Sequence, residues 1–442
     1  MVFLIYNLLI YVVAIFAFPY LIYIVVSQRK YRASILERLG FIPRDKLQNL
    51  GTTRPIWLHA VSVGEVMASL PVIKGLKGTF KDRPLIVSTV TETGNRVAVT
   101  KIKEADAIIY FPLDISFVVK KVIKMINPII FITAETEIWP NFFRQLGKNA
   151  IPSLMINGRI SPRSYSFYFN LRFFFKRVFK NFSLFSMQSV IDAERIIAIG
   201  APEKRVVVSG NLKYDREVPI LNEEEKAHIK EELGISNGRL IIVAGSTHKG
   251  EEEIIIRVLR VLKAQFPNLT IIIAPRKPER FKEVETLLCE EGISMAKRTD
   301  SKGMGIHGSP DVLLLDTIGE LSRVYSIADV AFVGGSMVDS GGQNPLEPAA
   351  YKKPIIFGRY MFNFYDISDH LVKNGGAIQV HNQEQFEDIT KKLLFDKDKR
   401  REMGEKAYAL LRENKGATHK TLEIISEILN STGEEMHSQK AT

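Results

Sequence analysis

The chain has 442 residues, 46% of them hydrophobic and 25% charged, with a net charge of +11. That length exceeds one ordinary core and points to two domains; the positive balance points to an anionic partner, whether nucleic acid, anionic lipid or a phosphorylated substrate. The single cysteine, Cys289, excludes an intrachain disulfide framework and a thiolate metal cage, and the eight histidines show no metal-ligand spacing.

Residues 1–27 contain no charged side chain. The run is long enough to cross a bilayer, which needs about 20 apolar residues. It lacks the basic start and the small-residue cleavage site of a removable signal peptide. Arg29, Lys30, Arg32 and Arg38 follow and place the remainder on the cytoplasmic side. The expectation is a single-pass anchor over 1–27; the alternative is a hydrophobic helix lying in the membrane surface.

From Pro55 the pattern is repeated strand and helix. Strands are expected over 56–61, 85–89, 108–111, 129–132 and 153–156, with helices over 64–77 and 92–103. Such alternation implies a parallel sheet with helices on both faces. The segment 163–182 carries Arg163, Arg172, Lys176, Arg177 and Lys180, nine aromatics and no acid. Read as one helix, it suits an anionic lipid interface; a core-packed helix with a basic outer face is the alternative. No nucleic-acid motif accompanies it.

The pattern breaks around 209–219, then Asn222 caps a charged helix closing at Gly234. A second series follows, with strands over 240–244, 270–274, 312–316, 330–333 and 354–357. Cys289 shares a helical pattern with Phe281, Val284, Leu287 and Leu288 and reads as a packing residue. The expected organisation is an anchor over 1–27, an acceptor-binding domain over 28–215, a nucleotide-binding domain over 216–430 and a disordered tail over 431–442. Two Rossmann-like domains of this kind bind ligands at the carboxyl ends of their strands, in a cleft between them.

The stretch 334–350, GGSMVDSGGQNPLEPAA, follows an apolar strand. Asn344 suits an N-cap and Pro345 a first helical position. The helix start through Leu346 would then offer N–H groups to a phosphate, and Glu347 is placed to accept from ribose hydroxyls. Gly245-Ser246-Thr247-His248, opening a helix at Glu251–Glu253, reads as a second such start. Pro275, Arg276 and Lys277 follow the next strand, and cations there can neutralise a leaving phosphate. Ile318, Gly319 and Glu320 lie on a third strand-to-helix turn. In the first domain Glu65 sits just past a strand, where a carboxylate can take a proton from an attacking hydroxyl. Glu135 and Glu137 lie at the equivalent edge, and Lys213 lies near the domain junction.

The stretches HAVSVGE (59–65), ETEIWPN (135–141), NGRIS (157–161), GNLKYD (210–215), GSTHKGEEE (245–253), APRKPER (274–280), DTIGEL (316–321) and FVGGSMVDSGGQNPLEPAA (332–350) together resemble the 3-deoxy-D-manno-octulosonic acid (Kdo) transferases of lipopolysaccharide assembly. The resemblance covers nearly the whole chain, anchor included. It implies an α/β GT-B fold and an inverting transfer of Kdo from CMP-Kdo to a lipid A precursor, at the cytoplasmic side of the cell inner membrane, without a metal or other cofactor. It implies Glu65 as general base, with Glu135 and Lys213 supporting the transition state. It places donor contacts at Pro275, Arg276, Ile318, Gly319, Glu320, Asn344, Pro345, Leu346 and Glu347. Two positions depart from the family: Gln343 and Lys277 stand where histidine is usual. Another nucleotide sugar, or a membrane-tethered binding protein without catalysis, are the competing functions.

Overall fold

The computed structural model describes residues 2–27, 29–215, 219, 221–300 and 310–438; the side chains of 18, 20–22, 24–26, 29–33, 163 and 432–438 are outside that description. Expectations resting on Arg29, Lys30, Arg32 and Arg163 fall among the latter. The chain forms two compact units, Met1–Arg216 with Lys415–Thr442, and Glu217–Asn414.

The first unit begins with helices α1 (Val2–Ser27) and α2 (Arg29–Arg38). Among the described residues no helix is long and apolar enough to cross a membrane. Seven strands follow: β1 (Ile56–His59), β2 (Leu85–Thr89), β3 (Ala107–Tyr110), β4 (Ile130–Ala134), β5 (Ser153–Gly158), β6 (Leu184–Met187) and β7 (Val206–Val208). They form one sheet in the order β3-β2-β1-β4-β5-β6-β7, with every pairing parallel. Parallel strands are covered on both faces, so they read as unbroken apolar runs: all four residues of β1 are buried. Trp57 anchors this core edge-on to Phe131 and Phe142, at 5.4 and 5.3 Å between ring centroids. Helix α3 (Val63–Thr79) follows β1, and α4 (Pro140–Lys148) follows β4. The basic aromatic segment is two helices, α5 (Pro162–Asn170) and α6 (Arg172–Phe179). Phe175, Phe179 and Phe182 belong to the core, whereas Phe167 and Phe173 are exposed, so the segment packs on the core along one face only.

The second unit repeats the design with β8 (Leu240–Thr247), β9 (Leu269–Pro275), β10 (Met295–Lys297), β11 (Val312–Leu314), β12 (Val330–Val333), β13 (Ile355–Phe357) and β14 (Ala377–Gln379). The order is β10-β11-β9-β8-β12-β13-β14, again parallel throughout. Asn222 caps α7 (Glu223–Glu232) through a full capping box with Glu225. Helix α8 (Glu251–Lys263) follows β8, and the short α9 (Leu346–Ala350) follows the loop after β12. Cys289 is exposed; Val284 and Leu288 face the core instead, which corrects its reading as a packing residue.

The largest departure from expectation is at the C-terminus. Helix α10 (Ala417–Ser438) belongs to the first unit, not to the second domain, and it runs through most of the tail expected to be disordered. Ile425 and Leu429 are buried in the first unit's core beside Val72 and Leu76 of α3. Gly75 of α3 makes room: a Cβ there would lie 2.3 Å from a Leu422 methyl. The Asp215 carboxylate accepts from the N–H groups of Gly416 and Thr418, so the chain's exit from this unit caps its return. Removing the Ile425 side chain beyond Cβ (Ile425→Ala) should therefore cost about 2–5 kcal/mol, read as a lower denaturant midpoint for the first unit; an unchanged midpoint would mean that α10 is not part of its core.

Candidate functional site

Both sheets change winding direction at one point. In the first unit this lies between β1 and β4, in the second between β8 and β12. Side chains at the carboxyl ends of those strands form the ligand edge of a doubly wound sheet. The motifs HAVSVGE and ETEIWPN end β1 and β4; GSTHKGEEE and FVGGSMVDSGG end β8 and β12.

In the first unit Glu65 stands in the opening turn of α3, whose N-cap is Ser62. Its carboxylate accepts from the Val61 N–H at 2.8 Å and from the Ser62 hydroxyl at 2.8 Å. Burial, then the charge of Glu135, raises its carboxyl to about 7, against the pull of those hydrogen bonds. Glu137 is raised further, to about 8, by burial and then by Glu65 and Glu135. Glu135 holds a left-handed backbone, φ 57°, and its carboxylate lies 3.8 Å from the Lys213 ammonium. The structure thus brings Glu65, Glu135 and Lys213 together with Glu137, which the sequence already placed at the same edge as Glu135. A non-glycine residue at positive φ costs energy that the surroundings must supply. Here Thr136 supplies part of it, donating to the Arg159 carbonyl and accepting from the Arg159 N–H.

Two asparagines position Lys213. Asn157, itself at φ 54°, accepts from the Leu212 N–H at 3.0 Å, and Asn211 accepts from the Lys213 N–H at 2.9 Å. Sequence reasoning gave neither a role, although Asn is the side chain most tolerant of such backbone. His59 is structural: fully buried, stacked 4.0 Å from Phe111 and hydrogen-bonded to Ser88, it is pushed by burial to about 3 and stays neutral.

In the second unit some N–H groups at both expected phosphate-binding helix starts are taken by the chain itself. Glu251, 1% exposed, accepts from the N–H groups of His248, Gly335, Ser336 and Met337 at 2.6–3.0 Å. The glycine-rich loop therefore closes around the chain's own carboxylate, and three acids, Glu251, Glu252 and Glu253, occupy the first turn of α8. Burial raises the Glu251 carboxyl while these N–H groups pull it back. Gly334 allows the approach, since a Cβ there would lie 2.5 Å from the Ser246 carbonyl oxygen. Adjacent Glu252, fully buried, takes the Thr247 hydroxyl at 2.7 Å and both terminal nitrogens of Arg280 at 2.6 and 3.2 Å. The expected start after Asn344 is also largely spent. Asn344 accepts from the Leu346 N–H at 3.1 Å, the Ala349 N–H goes to the Pro345 carbonyl, and Pro345 and Pro348 have no N–H to offer.

Other donor-side positions sit at the same edge. Pro275 is buried at the end of β9, and the Arg276 and Lys277 side chains are exposed beyond it. Ile318 is 77% exposed and Gly319 takes φ 92°. Glu320 is committed to a network: burial favours its neutral form, but Arg298, Thr317 and Arg323 outweigh that and hold it below the usual carboxylate range. Gln343 faces His248 across Gly335, where a Cβ would lie 3.5 Å from the Gln343 amide nitrogen and 3.1 Å from the His248 ring. Among the described residues no cluster of three or more His, Cys, Asp or Glu side chains is placed to hold a metal ion.

Two Rossmann-like units with carboxylates and cations at their switch points define a glycosyltransferase of the GT-B class. Residues 33–216 match the family described as 3-deoxy-D-manno-octulosonic-acid transferase (kdotransferase), and residues 225–410 match glycosyl transferases group 1. The chain is 34% identical over 406 residues to a 3-deoxy-D-manno-octulosonic acid transferase of Haemophilus influenzae, covering 91% of this chain and 93% of that one. It is 37% identical over 333 residues to a bifunctional glycosyltransferase/methyltransferase of Fusobacterium nucleatum, covering 75% of this chain and 51% of that one. A solved glycosyltransferase of Rickettsia africae shares the fold at 16% identity and a TM-score of 0.56, over 85% of this chain and 99% of that one. The chain belongs to the Kdo transferase family.

Because four N–H groups, two of them buried, depend on one buried carboxylate, Glu251→Ala should lower the denaturant midpoint of the second unit by the equivalent of about 3 kcal/mol or more. Glu251→Gln keeps one acceptor oxygen and should recover part of that loss. An alanine variant with an unchanged midpoint would show that the loop holds its shape unaided.

Proposed function

We propose that the chain transfers Kdo from CMP-Kdo to a lipid A precursor with inversion, in lipopolysaccharide core biosynthesis, working at the cytoplasmic side of the cell inner membrane against an anionic phospholipid surface. The observation that carries this reading is Glu65: a buried carboxyl raised to about 7, at the switch point of its sheet, in a Kdo transferase. A carboxyl tuned near the working pH is suited to general base catalysis. Glu65 takes the proton of an acceptor sugar hydroxyl. The oxygen forms its bond to the anomeric carbon of Kdo as the bond from that carbon to the phosphate oxygen of CMP breaks. Glu135 and Lys213 fix the charge balance around Glu65.

In the second unit the backbone N–H groups of the glycine-rich loop are engaged by Glu251, so the phosphate is met by side chains, with Arg276 foremost. Exposed Ile318 offers apolar contact to the base, and Glu347 accepts from the ribose. Pro275, Gly319, Asn344, Pro345 and Leu346 shape the backbone around the nucleotide, while Glu320 braces the turn through Arg298. The chain's own cations serve in place of a metal.

The test is a transfer assay with a tetraacylated lipid A precursor and CMP-Kdo made in situ, read by product mass. The wild type should add Kdo, with and without a chelator. Glu65→Ala should lose roughly 10²–10⁴-fold in rate and still bind CMP. No mass shift from folded wild type, or protection from unfolding by another nucleotide rather than CMP, would overturn the assignment.

The pH profile gives a separate check. The base acts only when deprotonated, so kcat/KM should fall as pH drops through about 7. The negative charge of Glu135 contributes to raising that value, so Glu135→Gln should move the acid limb to lower pH even as it slows the reaction. A limb that stays put or moves up would remove Glu65 as its source.

A further inference from the structure

Tyr325 follows the DTIGEL turn by four residues. The short helix Leu321–Val324 and the 3-10 turn Tyr325–Ile327 that continues it carry the ring into the second unit's core, beside Ile241, Val243 and Leu315. A buried tyrosine usually finds a partner for its hydroxyl. Tyr325 is 2% exposed, yet its hydroxyl has no hydrogen-bond partner among the described residues. The oxygen is not sealed away from solvent either, unlike the Trp139 indole nitrogen, which is buried and unpartnered. An apolar core therefore holds the ring, and the polar tip is left at its edge for something else.

Three stretches at the ligand edge of the second sheet meet at that tip. The first is the end of β8. A Cβ on Gly245 would lie 1.9 Å from the Tyr325 hydroxyl oxygen and 2.6 Å from its ring carbon Cζ, so only glycine there lets the phenol reach this far. The Gly245 carbonyl in turn accepts from the Gly334 N–H at 2.8 Å, which puts this point at the switch between β8 and β12. The second stretch is the turn after β11: the same Cβ would lie 3.1 Å from a methyl of Leu321, the residue that follows Glu320. The third is α9, which carries Glu347 and packs on the 325–327 turn. Burial, and then the negative charge of Glu347, hold the phenol well above its usual range. The hydroxyl keeps its proton and remains a hydrogen-bond donor.

The ribose of a nucleotide presents two neighbouring hydroxyls, each able to donate and to accept. A carboxylate only accepts, so Glu347 alone answers half of that pattern. A neutral phenol supplies the missing donor. We propose that Tyr325 is a nucleotide-binding residue. Its hydroxyl donates to one oxygen of the ribose diol of CMP-Kdo while Glu347 accepts from the diol, and the two together select ribonucleotides over deoxyribonucleotides. The inference rests on the placement of Glu347 at the ribose proposed above and extends that site to a core residue outside the family motifs. Selection follows because a site built to bond a substrate hydroxyl leaves its own polar group unpaired when the hydroxyl is missing.

The experiment is a calorimetric titration of the full-length protein with CMP, 2′-deoxy-CMP and 3′-deoxy-CMP. Wild type should bind CMP, and one of the two deoxynucleotides about tenfold more weakly. Equal affinity for all three would overturn the proposal without any variant. Tyr325→Phe keeps the ring and removes one oxygen, so the denaturant midpoint of the second unit should hold. Its affinity for CMP should fall about five- to tenfold, and its affinity for the deoxynucleotide that lacks the contacted hydroxyl should match that of wild type. In transfer, KM for CMP-Kdo should rise by more than kcat falls. A loss of equal size on all three nucleotides would put the hydroxyl on the phosphate or the base and overturn the ribose assignment. No loss on CMP would make the phenol a packing residue only. Failure of wild type to bind CMP would strike the functional reading itself, and this inference with it.

Discussion

A buried carboxylate must be given hydrogen bonds or it will not stay charged, and this chain uses that requirement to fix its loops. Glu251 is the clearest instance. One side chain from the start of α8 gathers N–H groups from the ends of two neighbouring strands, β8 and β12. Glu252, next in sequence, ties β8 to the turn after β9 through Arg280. Three strand ends are therefore held in register by two adjacent acids. Asp114 and Asp215 do the same in the first unit, where one starts α4 and the other starts α10. The loops that carry the chemistry are held by anions the chain supplies itself.

The first unit's site obeys a different balance. Burial raises the carboxyls of Glu65 and Glu137, and the negative charge of Glu135 raises both further, while the Lys213 ammonium lies 3.8 Å from the Glu135 carboxylate. Glu65, at about 7, and Glu137, at about 8, are therefore in part protonated near neutral pH. A base that is too strong would hold its proton, and one that is too weak would not take it. Burial first, and then the charge of Glu135, set the Glu65 carboxyl at about 7, while Glu135 stays beside the Lys213 ammonium.

What the sequence disclosed and what it hid follow from distance along the chain. The strand-turn-helix segments at Glu65, Glu135, Ser246 and Gly334 were legible because their signal is local: an apolar run, then small residues, then a cap. The short strands β6, β7, β10 and β14 were not, and β7 and β10 are only partly buried, so they lack the apolar run that marks a central strand. The glycine-rich loop was legible as a turn, but the closing of its N–H groups on Glu251 was not, because that carboxylate lies 84 or more residues away. The same limit hid the return of α10, whose cap, Asp215, is 201 residues upstream of Gly416. Hydropathy marked α1 as apolar but gave no sign that its N-terminal end packs on the first unit. Tyr6 and Asn7 were the polar clues, and their partners lie more than 100 residues on.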